Sequence, residues 1–275
     1  MNMSIPDFTI NSEFLNTDII IIDLLSSNEN EDQTGRKIYE LLLDLNNEFH
    51  TRPKRVRRVT PASALKLHQV LAQIATDCKA NALYPILDIE CHGGLDGVKI
   101  GTTSEIVSWN ELMAHFRSIA SNSHFHFGVV MASCFGIHAI SPLGLEHETA
   151  PAAFLIGPEK EIFSGPLLDE LKRFYRVLYT SSSLQKAISE ARSFKAFHAE
   201  KFLIECIARL IIDYKREGCY DREHRELVSR SYEAEAYMLL HGSGVQPEFK
   251  DVEDWALAAY RAAQRMPRSK RRTLI

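Results

Sequence analysis

The chain has 275 residues, 45% hydrophobic and 25% charged, a balance that supports a sizeable buried core and marks a globular protein. Its net charge of −4 lacks the basic excess of a protein built to hold a nucleic-acid polymer. The first twenty residues carry Asp7, Glu13 and Asp18 but no Lys or Arg, unlike a secretory signal, and the apolar run Ile19 to Ile22 is far short of the roughly 20 residues a membrane span needs.

Taken in chain order, "TDIIIIDLL" (17–25) is a β-branched run followed by the polar turn "SSNENEDQTG". "RKIYELLLDLNNEF" then places Ile38, Leu41, Leu42 and Leu45 at helical spacing. "RVRRV" (55–59) predicts a second strand, and Thr60-Pro61 opens a helix through Leu67, Leu71, Ile74 and Cys78. "YPILDIECH" predicts a third strand ending at His92, and "SWNE" (108–111) has the form of a capping box for a helix through Leu112, Phe116 and Ile119. "FGVVMASC" (127–134) reads as a strand buried on both faces and "APAAFLIG" (150–157) as a fifth strand. Ser164-Gly165-Pro166 starts a helix with Leu167, Leu168, Leu171, Phe174, Tyr175 and Leu178 on one face. Such alternation predicts an α/β fold, a mostly parallel sheet sandwiched by helices. From Leu184 to Glu217 there is neither Gly nor Pro, and helical patterns follow near 222–241 and 249–265. The expected division is an α/β domain over 1–183 and a helical C-terminal region over 184–275, either packed on the same core or forming an appendage.

In an open α/β sheet, ligands gather beyond the carboxyl ends of the strands. Two of those ends carry residue types suited to nucleophilic catalysis, His92-Gly93-Gly94 after the third strand and Ser133-Cys134-Phe135-Gly136 after the fourth. If the strands are neighbours, His92 and Cys134 stand over one edge. A thiolate attacks a carbonyl while a nearby imidazole takes its proton and later protonates the leaving amine, so the pair can cleave an amide. The oxyanion donors would be the N–H of Gly93 and of Cys134 itself. Strand parity puts Asp88, Glu90 and His92 on one face. Either Glu90 or Asp88 orients the imidazole, or both face solvent or cap a helix, the commoner fate of acidic residues.

The combination resembles the caspase-like (CHAT/caspase-type, clan CD) cysteine peptidases of bacterial type, in which a His-Gly and a Cys-x-Gly end adjacent central strands. "ASCFG" supplies Cys-x-Gly, and His92 lies 42 residues before Cys134. In caspases the signature is Gln-Ala-Cys-x-Gly with its His about 50 residues upstream. The likeness spans roughly residues 17–190, including "APAAFLIGPEKEI" and "FYRVLYTSSSLQKAISEA". It implies a caspase-like fold over 1–183, His92 as acid/base, Cys134 as nucleophile and Gly93 as oxyanion donor. It also implies a thiol endopeptidase acting on protein or peptide substrates without a cofactor, with a role in stress or antiviral defence. Ala132 stands where caspases carry Gln, so specificity for Asp, Arg or Lys is not expected. With Ala132 and Ser133 beside the substrate pocket, a small or apolar residue before the scissile bond is.

Other readings are a catalytically inactive peptidase-like scaffold, and a nucleotide-binding α/β domain, which the single Gly of "SSNENEDQTG" disfavours. Five scattered cysteines without a CxxC pair suit free thiols in a reducing cytoplasm. "HFH" (124–126) has a metal-like spacing, but no third ligand is evident, and no metal is expected. The basic runs 52–58 and 267–272 are either solvated or receive an anion such as a nucleotide messenger. An endopeptidase in its own cytoplasm calls for latency, relieved by that effector, a protein activator or homo-oligomer assembly through the C-terminal helices.

Overall fold

A computed structural model describes residues 14–25, 33–49, 53–81, 83–141, 150–181, 183–199 and 202. Strand β1 (Asp18–Asp23) is buried at every position because it runs through the middle of a sheet covered on both faces. Its run of isoleucines suits that place, since branched side chains fill both faces of a pleated strand. β2 (Arg55–Val59) pairs with it on one side and β3 (Pro85–Glu90) on the other, both parallel. β7 (Gly128–Ala132) pairs parallel with β3, β8 (Phe154–Pro158) parallel with β7, and β9 (Phe194–His198) antiparallel with β8. The sheet order is therefore β2-β1-β3-β7-β8-β9. Three short strands, β4 (His92–Gly93), β5 (Gly97–Lys99) and β6 (Ile106–Ser108), form a separate antiparallel sheet between β3 and the next helix.

Helices α1 (Thr34–Glu48) and α4 (Ser164–Ser181) pack together, as do α2 (Ala64–Asn81) and α3 (Trp109–Asn122). A core beneath α1 and α4 joins Ile38, Leu42, Leu171 and Phe174 to the alternate strand residues Ile19, Ile21, Ile86, Val130, Phe154 and Ile156. The predicted α/β class and mostly parallel sheet are thus present. The Ser108 capping box is formed in full: the Ser108 hydroxyl accepts from the Glu111 N–H (3.3 Å) and the Glu111 carboxylate accepts from the Ser108 N–H (2.8 Å).

The sequence differs from the structure in two places. Between the third predicted strand and the Ser108 capping box the sequence predicts only a turn, yet the chain there forms β5 and β6, each too short to leave a pattern. The stretch from 184 reads as helical, yet after α5 (Leu184–Glu190) the chain returns as edge strand β9, with Phe194 and Phe197 buried. The remaining expectations for the C-terminal region, with the basic run 267–272, lie outside the described residues. No described helix is long and apolar enough to cross a membrane.

Candidate active site

β3 and β7 run in register to their ends, Glu90 opposite Ala132, and Cys91 N–H still reaches the Ala132 carbonyl at 3.5 Å. Beyond that point they part. β3 peels away through β4 and β5, while β7 turns sharply into a 3-10 helix (Gly136–Ile140). The peeling strand passes close over the turn: a Cβ on Gly93 would collide with the Cys134 carbonyl oxygen and lie 2.9 Å from Ser133 Oγ. Only glycine allows this approach, and it brings His92-Gly93 against Ser133-Cys134. His92 is exposed, and Cys134 is half-buried.

Two amides at this junction stand outside the local backbone hydrogen bonding. Gly94 N–H donates to the Gly97 carbonyl (2.9 Å), so the adjacent Gly93/Val98 pair is a non-hydrogen-bonded position of the β4–β5 ladder and the Gly93 N–H stays out of the hairpin. In the Cys134 turn, Phe135 N–H donates to the Lys160 carbonyl (3.3 Å) and Gly136 N–H to that of Ser133 (3.2 Å). Among the described residues the Cys134 N–H carries no hydrogen bond. Phe135 is left-handed, φ +57°, an uncommon conformation for a side chain of its size. Gly136 fits so tightly on β7 that a Cβ would lie 2.6 Å from the Met131 carbonyl oxygen.

The Cys134 sulfur has backbone partners. Ile162 N–H donates to Sγ at 3.4 Å, and the thiol faces the Ile162 carbonyl at 3.6 Å. Cys78 and Cys91 are buried, and burial pushes both thiols up, that of Cys78 to about 12. Sequence reading missed Ile162, because a backbone contact 28 residues away leaves no mark in residue types.

Asp88 and Glu90 do not orient the imidazole, and they do not face solvent. Both side chains are wholly buried beneath α1 and α4. Tyr175 of α4 donates its hydroxyl to Asp88 (2.6 Å) and Thr34 of α1 donates to Glu90 (2.5 Å). Among the described residues Asp88 Oδ1 and Glu90 Oε1 accept nothing. Desolvation pushes the Asp88 carboxyl up to about 7, against the Tyr175 bond and with help from Asp23. Glu90 is pushed up in the same direction, by desolvation and then by Asp88. The parity argument failed because the chain leaves β3 at Cys91, so His92 no longer continues its alternation.

Ala132 and Ser133 are also buried, each 1% exposed, so they underlie the turn and offer a substrate almost no surface. His124 and Phe125 have positive φ in a turn, not a strand, and His126 Nδ1 accepts from Leu15 N–H (3.3 Å). No group of three or more metal-ligating side chains gathers among the described residues. In the basic run, Arg55 pairs with Asp18 (2.8 Å), Arg57 with Asp77 (3.7 Å) and Arg58 with Asp23 (2.6 Å), so these three arginines are already engaged by carboxylates. Compared with models of protein families and with curated proteins, the chain matches none.

Proposed function

We propose that this protein is a caspase-like cysteine endopeptidase working through His92 and Cys134. The observation that carries the reading is the junction of β3 and β7, hydrogen-bonded neighbours, where Gly93 presses on the Cys134 carbonyl and two amides are left for an oxyanion. In this reading the imidazole takes the thiol proton, and Sγ attacks the scissile carbonyl carbon. Gly93 N–H and Cys134 N–H hold the resulting oxyanion. The imidazolium then protonates the leaving amine as the C–N bond breaks, leaving a thioester. Water, deprotonated by the imidazole, hydrolyses the thioester and restores the thiol.

An electrophilic peptide probe tests this. Selective labelling of Cys134, with Cys78 and Cys91 untouched because they are buried thiols, supports the enzyme; uniform slow labelling of several cysteines supports the scaffold reading. The proposal includes latency: the isolated protein is nearly inactive, and an effector or self-assembly orders the residues around Cys134 by binding the active state more tightly. Full activity of an effector-free monomer, read by size exclusion and turnover together, refutes that part.

A further inference from the structure

We infer that the segment 161–163 is the specificity wall of the Cys134 site and that Phe163 selects a large apolar side chain next to the acyl carbon held at the sulfur. The inference rests on the reading of Cys134 as nucleophile and names the substrate class for it. Phe163 is 85% exposed, the most exposed of the large apolar residues described. Single exposed apolar residues are ordinary; the surroundings of this one are not. Its neighbour Ile162 touches Sγ through both its N–H and its carbonyl. On the other side the Phe163 carbonyl accepts from Leu167 N–H (3.0 Å) as α4 begins. The backbone is therefore pinned on both sides of an exposed ring, within one residue of the nucleophile's contact.

An acyl group on Sγ must lie beside this segment, and its peptide backbone can take the Ile162 N–H and carbonyl that the thiol now occupies, in the manner of strand addition. The side chain next to that acyl carbon then meets Phe163. Glu159, Lys160 and Glu161 just before it are exposed and of mixed sign, so the wall offers no single charge to select Asp, Arg or Lys. The buried Ala132 and Ser133 cannot supply this surface; Phe163 can.

The test uses short peptide aldehydes ending in Leu, Phe, Asp or Lys, scored by how well each protects Cys134 of the full chain from iodoacetamide, read by mass spectrometry. The thiol adds across the aldehyde: an S–C bond forms, the π pair goes to oxygen and takes the thiol proton, and no other reactant is needed. Leu and Phe aldehydes should protect at concentrations at least tenfold lower than Asp or Lys aldehydes, within the roughly 10–200-fold range of an apolar pocket contact. Phe163→Ala should erase most of that advantage with unchanged melting temperature, each variant's protection being scored against its own alkylation rate without peptide. Leu65→Ala, which removes an exposed leucine from the first turn of α2, should change nothing. Equal protection by all four aldehydes, or a preference that survives Phe163→Ala, overturns the inference. Amide peptides of the same sequences are assayed separately, with and without candidate nucleotide effectors and across protein concentrations that allow self-assembly: hydrolysis absent under all of these, with selective protection intact, sinks the peptidase reading and leaves this inference standing.

Discussion

Raising the pH should destabilise this fold from about pH 4 upward, through the buried Glu90 and, over the window to about pH 7, through Asp88. Its carboxyl moves from the ordinary 3.8 to about 7 on folding, because the side chain is wholly buried with Asp23 nearby and only the Tyr175 hydroxyl for compensation. The native state thus holds the proton more tightly than the unfolded chain. The stabilisation is complete below the unfolded pKa and is lost as pH rises through the folded one. A difference of roughly 3 pH units corresponds to about 4 kcal/mol, a ceiling that local relaxation will lower. Urea-unfolding midpoints from pH 4.5 to 8 measure it, with Asp88→Asn as the reference. Asparagine keeps an oxygen for Tyr175 and cannot ionise, so the variant should gain on the wild type by several kcal/mol across that range. Because Asp88 also helps raise Glu90, removing its charge should flatten the Glu90 share of the slope as well. A wild-type minus variant difference that is flat with pH, or that grows in favour of the wild type, refutes the reasoning.

Cys134→Ala should abolish peptide hydrolysis while shifting the melting temperature little, since among the described residues the thiol's hydrogen bonds are two weak ones to the Ile162 backbone; His92→Ala, at an exposed position, should behave likewise in the same two assays. Gly93→Ala should push β4 off the Cys134 turn, costing on the order of 1–3 kcal/mol in chemical denaturation, and about a hundredfold in turnover if oxyanion donors move by an ångström. Arg58→Ala leaves Asp23 buried without its guanidinium, although the Leu25 N–H still donates to it. A loss of about 2–4 kcal/mol is expected in urea titrations, below the full cost of a broken buried pair because Arg58 is partly exposed.

How far the fold could be read in advance follows from the length of each element and the reach of its contacts. β1, β3, β7 and β8 were visible because runs such as Ile19 to Ile22 and Val129 to Met131 are apolar on both faces, the pattern of a parallel strand covered by helices. The Ser108–Glu111 cap was visible because both partners lie within one turn. The hairpin carrying Gly93 was not, because two- and three-residue strands show no period. The carboxylates were misread for a related reason. Parity puts Asp88 and Glu90 on one face of β3, but whether that face is wet depends on α1 and α4, and their donors Thr34 and Tyr175 come from 56 and 87 residues away. His92 and Cys134 were legible as residue types at strand ends. That they follow the ends of neighbouring strands needed the pairing of β3 with β7.

That pairing joins the two unusual features of the molecule. Glu90 ends β3 opposite Ala132, so the buried acids lie under the strand ends from which Gly93 and Cys134 emerge. Gly35 at the start of α1 sits so close to them that a Cβ would lie 2.7 Å from Asp23 Oδ2 and 3.2 Å from Glu90 Cγ, so α1 is seated directly against the acids. A charge formed on either acid is costly in this buried setting, and movement of α1 or of the strand ends would relieve it. Movement of the strand ends would alter the approach of Gly93 to Cys134. The stability titration and the iodoacetamide reactivity of Cys134 should then share a pH-dependent component that Asp88→Asn removes from both. A pH profile of Cys134 alkylation identical in wild type and Asp88→Asn would show that α1, on the buried face, takes up the change and that the strand ends hold still.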